Sequence, residues 1–311
     1  MIYTPGPWVR LWGVHTTQLP ETSAQAEDVR SLLASLIEEA LPFLDDAPTS
    51  HKPEQSSPWK YKSTKRYEHS DSPVDLYQRT VSARELQAVA KDHPEPLIRD
   101  AKHSSETWFL RRSLHRNAAE AGTASWEEWV RYFKEKHAEA EKEFTPTVLR
   151  TRRLHEWDCG ALELPAGGST WTDWTLKLEE SEHKMPAPLH NRLFPVVQAT
   201  CAARDRHDFL VVQVAVRRTP EEDGGSGGGD GPVLGVYTSV ERIRRTEEGS
   251  VEWLMATASD AAGVLPAWVQ RAAVPGQIAK DVNMFLKWVA TERKGKRRED
   301  PVLDDDDTAS S

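Results

Sequence analysis

The sequence has little cysteine, no long apolar run and no surplus of basic charge. Only Cys159 and Cys201 occur in 311 residues. A pair so far apart defines neither a disulfide framework nor a zinc site, so both are expected as reduced thiols. The longest apolar stretch, Phe209 to Val216, contains Gln213 and falls far short of the roughly 18 residues that suggest a membrane span. Residues 1–19 carry Pro5, Pro7, Arg10 and His15 and lack the basic-then-apolar order of a secretory leader, so a cytoplasmic location is expected. Lys and Arg number 40 against 49 Asp and Glu, a formal charge of −9. That balance removes the basic footprint nucleic-acid binding needs.

What the chain does have is tryptophan, 12 residues of it, and 20 Pro. So many large rings must be buried or line something. Ala26, Val29, Leu32, Leu33, Leu36, Ile37, Ala40 and Leu41 recur at helical spacing, which predicts a helix over 24–44 closed by Pro42. Residues 59–69, 75–86 and 106–115 read as strands. Ser125 and Glu128 form a capping box before Trp126, Trp129, Val130, Phe133 and His137, one face of a helix reaching about 143. Six short β segments follow, 147–157, 170–179, 193–201, 208–217, 233–245 and 250–258, expected as an antiparallel meander. Residues 265–274 and 276–292 read as helices broken at Pro275, the second showing Ile278, Val282, Phe285, Leu286 and Val289 on one face. One domain over 1–292 is expected, with a flexible Gly-rich loop at 221–231 and a charged disordered tail at 293–311.

Three blocks carry a resemblance. Residues 253–263, beginning Trp253-Leu254-Met255-Ala256-Thr257, lead into Leu265-Pro266-Ala267-Trp268-Val269-Gln270, Ile278-Ala279-Lys280-Asp281-Val282 and Phe285-Leu286-Lys287-Trp288-Val289. Upstream stand Trp108-Phe109-Leu110-Arg111-Arg112-Ser113-Leu114-His115 with Ala124-Ser125-Trp126-Glu127-Glu128-Trp129, and Val9-Arg10-Leu11 with Leu19-Pro20. In this order they resemble a fungal START-like family of unknown function within the START and Bet v 1-like superfamily. The resemblance implies an α+β helix-grip fold, a curved antiparallel sheet wrapped around a long C-terminal helix. It also implies a cavity for a hydrophobic molecule such as a lipid or sterol.

Catalytic motifs find no anchor. Gly224-Gly225-Ser226-Gly227-Gly228 matches a nucleophile elbow only formally, because it lies in a glycine linker rather than a strand–turn–helix. His137 and Glu141, at i and i+4, supply two ligands where zinc needs three or four, and read as a surface helix pair. No cofactor, metal or catalytic residue is assigned. Alternation puts Trp174, Leu176 and Leu178 on one face of their strand and Val251, Trp253 and Met255 on one face of theirs. Both sets are expected to face inward and meet Ile278, Val282, Phe285 and Val289 of the closing helix, and the resemblance implies an entrance at Trp268. Arg112 and His115 are the polar candidates for ligand contact, on opposite faces of one strand. If buried, Arg112 needs a carboxylate such as Asp173 or Asp281, or an anionic headgroup.

The leading expectation is a non-catalytic binding or transfer protein for a hydrophobic small molecule. A cyclase- or isomerase-type enzyme using His115 and Arg112 in the same cavity is the second. The third is an interaction protein whose tail, with the basic run 293–298, or Gly-rich loop docks a partner or, transiently, a membrane surface.

Overall fold

The computed structural model describes residues 5–49, 57–92, 105–187, 189–217, 231–260 and 267–299, and the side chains of the last helix over 274–295. The 221–231 loop, apart from Gly231, and residues 300–311 lie outside the described residues, as does the Trp268 side chain.

Nine strands form the path of one sheet, in the order β2 (Lys60–Lys65), β3 (Val74–Val81), β4 (Glu106–His115), β12 (Val251–Asp260), β11 (Val236–Arg245), β9 (Asp208–Arg217), β8 (Arg192–Ala203), β7 (Ser169–His183), β5 (Val148–Trp157). All pairs along it are antiparallel. Three short strands attach at its margins: β1 (Val14–His15) on β9, β6 (Leu164–Ala166) on β7 and β10 (Val233–Leu234) on β8. The meander expected from sequence holds through all six segments, β5, β7, β8, β9, β11 and β12 pairing in chain order. Its last strand, β12, pairs back onto β4, which joins the two halves of the chain.

Both faces of the sheet are covered. On one lie α1 (Ala26–Asp45), α2 (Ala83–Asp92) and the N-terminal arm; on the other lie α3 (Trp126–Trp129), α4 (His137–Phe144) and the closing helix α5 (Ala267–Glu299). The helix α1 begins at Gln25, where Asp28 accepts from the Gln25 amide at 2.8 Å, and it runs through Pro42. The carbonyl that this proline leaves unbonded belongs to Glu38, an exposed residue, so water can satisfy it. The arm is held by two carboxylates: Glu39 accepts from the amides of Trp8 and Val9, and Glu106 from the amide of Leu11 and the indole of Trp108.

Four expectations need correction. The strand expected to reach residue 86 ends at Val81, and Ser82 opens α2 by accepting from the Glu85 amide. The helix from 125 is interrupted by a π-helical segment, Val130–Glu135, so α4 starts on a new face and brings His137 and Phe144 toward the interior. Pro275 does not split the last helix, since a proline removes one helical hydrogen bond without having to end the helix. That helix also continues past 292 to Glu299.

Arg293, expected in a free tail, is an anchor. Its guanidinium takes Glu128 in a fork, Nε to Oε1 at 2.6 Å and Nη2 to Oε2 at 2.5 Å, and also donates to the carbonyl oxygens of Thr123 and Glu120. Bidentate, partly desolvated bonds of this kind are among the strong ones. Arg293→Ala is expected to lower stability by about 2 kcal/mol in urea unfolding, with Arg293→Lys recovering less than half because an ammonium cannot make the fork.

Candidate functional site

The side of the sheet that faces α5 is divided. Val74, Leu76, Phe109, Phe209, Ile243, Val251 and Trp253 make an apolar half, on which Ile278, Val282, Phe285 and Val289 of α5 pack together with Trp129 and Phe133. Ring contacts at 4.7 to 4.9 Å join Trp129, Trp253, Phe133 and Phe285 into a filled cluster. The other half is polar. Ser239 donates to Gln213 and Gln213 to Gln198, each at 3.0 Å, with Thr200, Lys177 and Glu179 buried beside them.

At the junction lies a cavity of about 80 Å³, lined by Arg111, His137, Glu241, Asp281, Tyr237, Gln213 and Ser239 and by the apolar groups of Phe133, Phe144, Trp253 and Met255. Its charged residues follow from register. Arg111 on β4 and Glu241 on β11 both stand opposite Met255 on the strand between them. Two strand spacings of roughly 4.8 Å separate their backbones, a gap that only long side chains bridge. Arg111 Nη2 donates to Glu241 Oε1 at 3.0 Å, and the guanidinium lies 3.7 Å from the ring centroid of Trp253, whose indole N–H donates to the same carboxylate oxygen. His137 Nε2 approaches Glu241 Oε2 at 3.4 Å.

Three polar atoms at this cavity have no protein partner: Nε and Nη1 of Arg111 and Nδ1 of His137. A wholly buried guanidinium with two vacant donors costs free energy until an acceptor meets them. Burial disfavours the charged form of every group here, and the neighbours decide the outcome. Glu241 loses by burial but gains more from His137 and Arg111, so its pKa is lowered and it stays ionised. His137 is likewise opposed by burial, but its bond to Glu241 and the negative charges of Glu141, Glu241 and Glu179 raise its pKa. Burial lowers the Arg111 pKa against the pull of Glu241 and Asp281, yet a guanidinium remains charged at neutral pH. Asp281 goes the other way: burial, reinforced by Glu141 and Glu241 and opposed by Arg111, raises it to about 7.

The sequence-derived candidates divide accordingly. Trp253 and Met255 line the cavity; Ile278, Val282, Phe285 and Val289 lie on the correct side but fill the apolar cluster. His115 faces inward, bonded to Ser113 at 2.8 Å and packed against Trp129 and Trp253. Burial first and Arg111 second push its pKa down to about 3, so it is neutral. Arg112 points to the opposite face and pairs with Glu252 at 2.6 Å. Trp174 and Leu176 also belong to the opposite face, packed in the core under α1. Alternation groups such residues without saying which face they take, and here a register shift between Thr172 and Thr175, with Asp173 at φ 51°, sets it.

Sequence patterning does not single out Arg111, Glu241, Tyr237 or Gln213 as site residues, offers His137 only as a surface pair with Glu141, and offers Asp281 only as a partner for Arg112. The signal lay in polar residues occupying inward positions: Arg111 two residues from Phe109, Glu241 two from Ile243, and Asp281 inside the stripe of Ile278, Val282 and Phe285. His137 is no surface pair with Glu141, since its side chain is 9% exposed and engages Glu241.

The family described as "Protein of unknown function (DUF3074)" matches residues 108–289, from β4 into α5. No curated protein matches the sequence. Among solved structures, human STARD10 superposes with a TM-score of 0.50 at 14% identity, covering 93% of this chain and 87% of that one. Human StAR-related lipid transfer protein 5 gives 0.49 at 10% identity, over 87% and 99%. The likeness to STARD10 establishes the fold as START-like, the α+β helix grip expected from the sequence. No helix among the described residues is long and apolar enough to cross a membrane.

A carboxyl raised on folding from 3.8 to about 7 contributes stability below its unfolded pKa and loses it as pH rises through 7. Above pH 7 its ionisation is expected to cost on the order of 2–4 kcal/mol, allowing for some solvent access. Asp281→Asn should therefore melt several degrees above the unsubstituted protein at pH 8 and close to it near pH 4, read by scanning calorimetry.

Proposed function

Since the chain belongs to the DUF3074 family and has the START-like fold, we propose that it is a binding or transfer protein for a small amphiphilic molecule whose polar end docks on Arg111. The observation that carries this reading is a cavity-lining arginine whose guanidinium keeps Nε and Nη1 buried without a protein partner. Polar groups placed so sparsely in an otherwise apolar site are what orient a ligand. Phe133, Phe144, Trp253 and Met255 offer the apolar contact, and the unbranched thioether of Met255 is suited to repacking around a tail.

Size refines the expectation of a lipid or sterol. Pockets that enclose a drug-sized molecule run to roughly 300 Å³ or more, against about 80 Å³ here. The chamber in this state fits a headgroup or a short-chain molecule, and a longer tail has to part the aromatic cluster from α5. A tail that parts the cluster and buries on the order of 400 Å² of apolar surface gains roughly 10 kcal/mol gross at about 25 cal/mol/Å², from which association costs of at least about 4 kcal/mol and the cost of parting the cluster are subtracted.

Binding without catalysis fits the placement of the two residues a cavity enzyme was expected to use, His115 neutral among tryptophans and Arg112 on the opposite face of the sheet, paired with Glu252. One observation favours a cyclase- or isomerase-type reading instead: the Asp281 carboxyl, balanced near pH 7, faces a guanidinium, an arrangement suited to moving a proton while holding an oxyanion. Turnover of a ketone or polyketide-like substrate that Asp281→Asn abolishes would decide for it.

The binding reading is tested by native mass spectrometry of gently purified protein, followed by solvent extraction. A retained amphiphile, or a rise in melting temperature with a short-chain fatty acid or lysophospholipid, is expected. Both should vanish in the double variant Arg111→Gln/Glu241→Gln, which removes the charges together and so avoids stranding a buried carboxylate. A bare chain that no member of a fatty acid, phospholipid and sterol panel stabilises overturns the proposal.

A further inference from the structure

The arrangement around Asp281 bears on how the chamber accepts its ligand, given the reading of Arg111 as the docking point. Asp281 projects from α5 into a space bounded by Arg111 of β4, Glu241 of β11, and His137 and Glu141 of α4; Tyr67, from the loop before β3, also interacts with it. One cation, Arg111, therefore serves two carboxylates, Glu241 by a direct bond and Asp281 by proximity. Its vacant Nε and Nη1 are the donors an incoming anion would occupy.

We infer that the chamber takes an anionic group together with a proton, the anion seating on Arg111 and the proton on Asp281. When the anion arrives, the positive charge that favours the Asp281 carboxylate is shared with a third negative group. A new like charge is also brought among the same buried side chains, where Coulomb interactions are less screened than in bulk water. Both changes favour the neutral acid. Because burial already balances Asp281 near neutrality, the shift falls within the physiological range. His137 is bonded to Glu241 rather than to Asp281, and because a new anion would favour its protonated form as well, its share of the uptake is separated by substitution. Linkage fixes the consequence: if binding raises the proton affinity of Asp281, protonation of Asp281 raises the affinity for the anion by the same factor.

A probe of fixed charge isolates this effect. The sulfonate of 1-hexanesulfonate does not titrate between pH 5 and 9, and calorimetry in Tris and in triethanolamine, cationic buffers of different ionisation enthalpy, counts the protons taken up. At pH 8 uptake approaching one proton per bound sulfonate is expected, with Kd nearly constant below pH 6.5 and rising up to about tenfold per pH unit above 7.5. In Asp281→Asn, which mimics the neutral acid, uptake should disappear and Kd should stay at its low-pH value throughout; His137→Gln should keep the uptake. Binding that requires Arg111 but shows no proton uptake, or uptake that persists in Asp281→Asn, overturns the coupling and leaves the docking reading intact. No heat with hexanesulfonate for either the unsubstituted protein or Arg111→Gln/Glu241→Gln overturns the docking reading, and the coupling falls with it.

Discussion

The ion pair between Arg111 and Glu241, the two side chains 3% and 7% exposed, is the constraint around which this molecule is arranged. Removing two charges from water costs several kcal/mol per ion, and mutual attraction offsets that only when the remaining donors and lone pairs are met. Glu241 is well supplied, by the guanidinium, the Trp253 indole and His137. Arg111 is supplied on one nitrogen only and is otherwise held by the face of Trp253. Neighbouring features can be read from that asymmetry: a cavity beside the vacant nitrogens, a second carboxyl within range, and a helix face carrying Asp281 where an apolar residue would pack.

The sheet can hold such a pair because its two faces have different tasks. Under α1 lies a continuous apolar core, with Trp108, Trp171 and Trp174 buried in it and the carboxylates of Glu39 and Glu106 spent on the amides of the N-terminal arm. That face supplies cohesion. Under α5 the apolar cluster occupies only part of the surface, and hydrogen-bonded side chains line the rest. Arg293 fastens the far end of α5 to Glu128, so the helix does not depend on apolar packing along its whole length to stay seated. A polar floor beneath a closing helix is costly for a core and serviceable for a binding chamber.

Most strands and the closing helix could be read from periodicity, and β4, expected at 106–115, matches the structure residue for residue. The chamber could not be read so directly. Arg111 and Arg112 are adjacent in the sequence and chemically identical, and only the pairing of β4 with β12 assigns one to the cavity and the other to Glu252. Trp174 and Leu176 share a face as alternation requires, but the bulge before them, at Asp173, turns that face toward α1. His137 reached the interior through the π-helical segment, a feature with no reliable local sequence signature. Asp281 was legible as a carboxyl in an apolar stripe, a conflict of the kind that marks functional positions more often than structural ones.

On the proposed binding reading, selectivity would rest on charge more than on volume. On that reading, a molecule lacking an acceptor group leaves Nε and Nη1 of Arg111 unpaired, a deficit of about 1–3 kcal/mol that an acceptor would relieve. A molecule with an anionic end relieves that deficit and gains a charge-assisted bond. Sites built to pair a polar group discriminate against analogues that lack it far more strongly than apolar pockets discriminate by size. An uncharged sterol would on the same reading be a poor match to this state of the chamber, and a compact acid a good one. Met255, lying between Arg111 and Glu241 in the same row of the sheet, is the adaptable apolar surface against which the rest of such a molecule would lie.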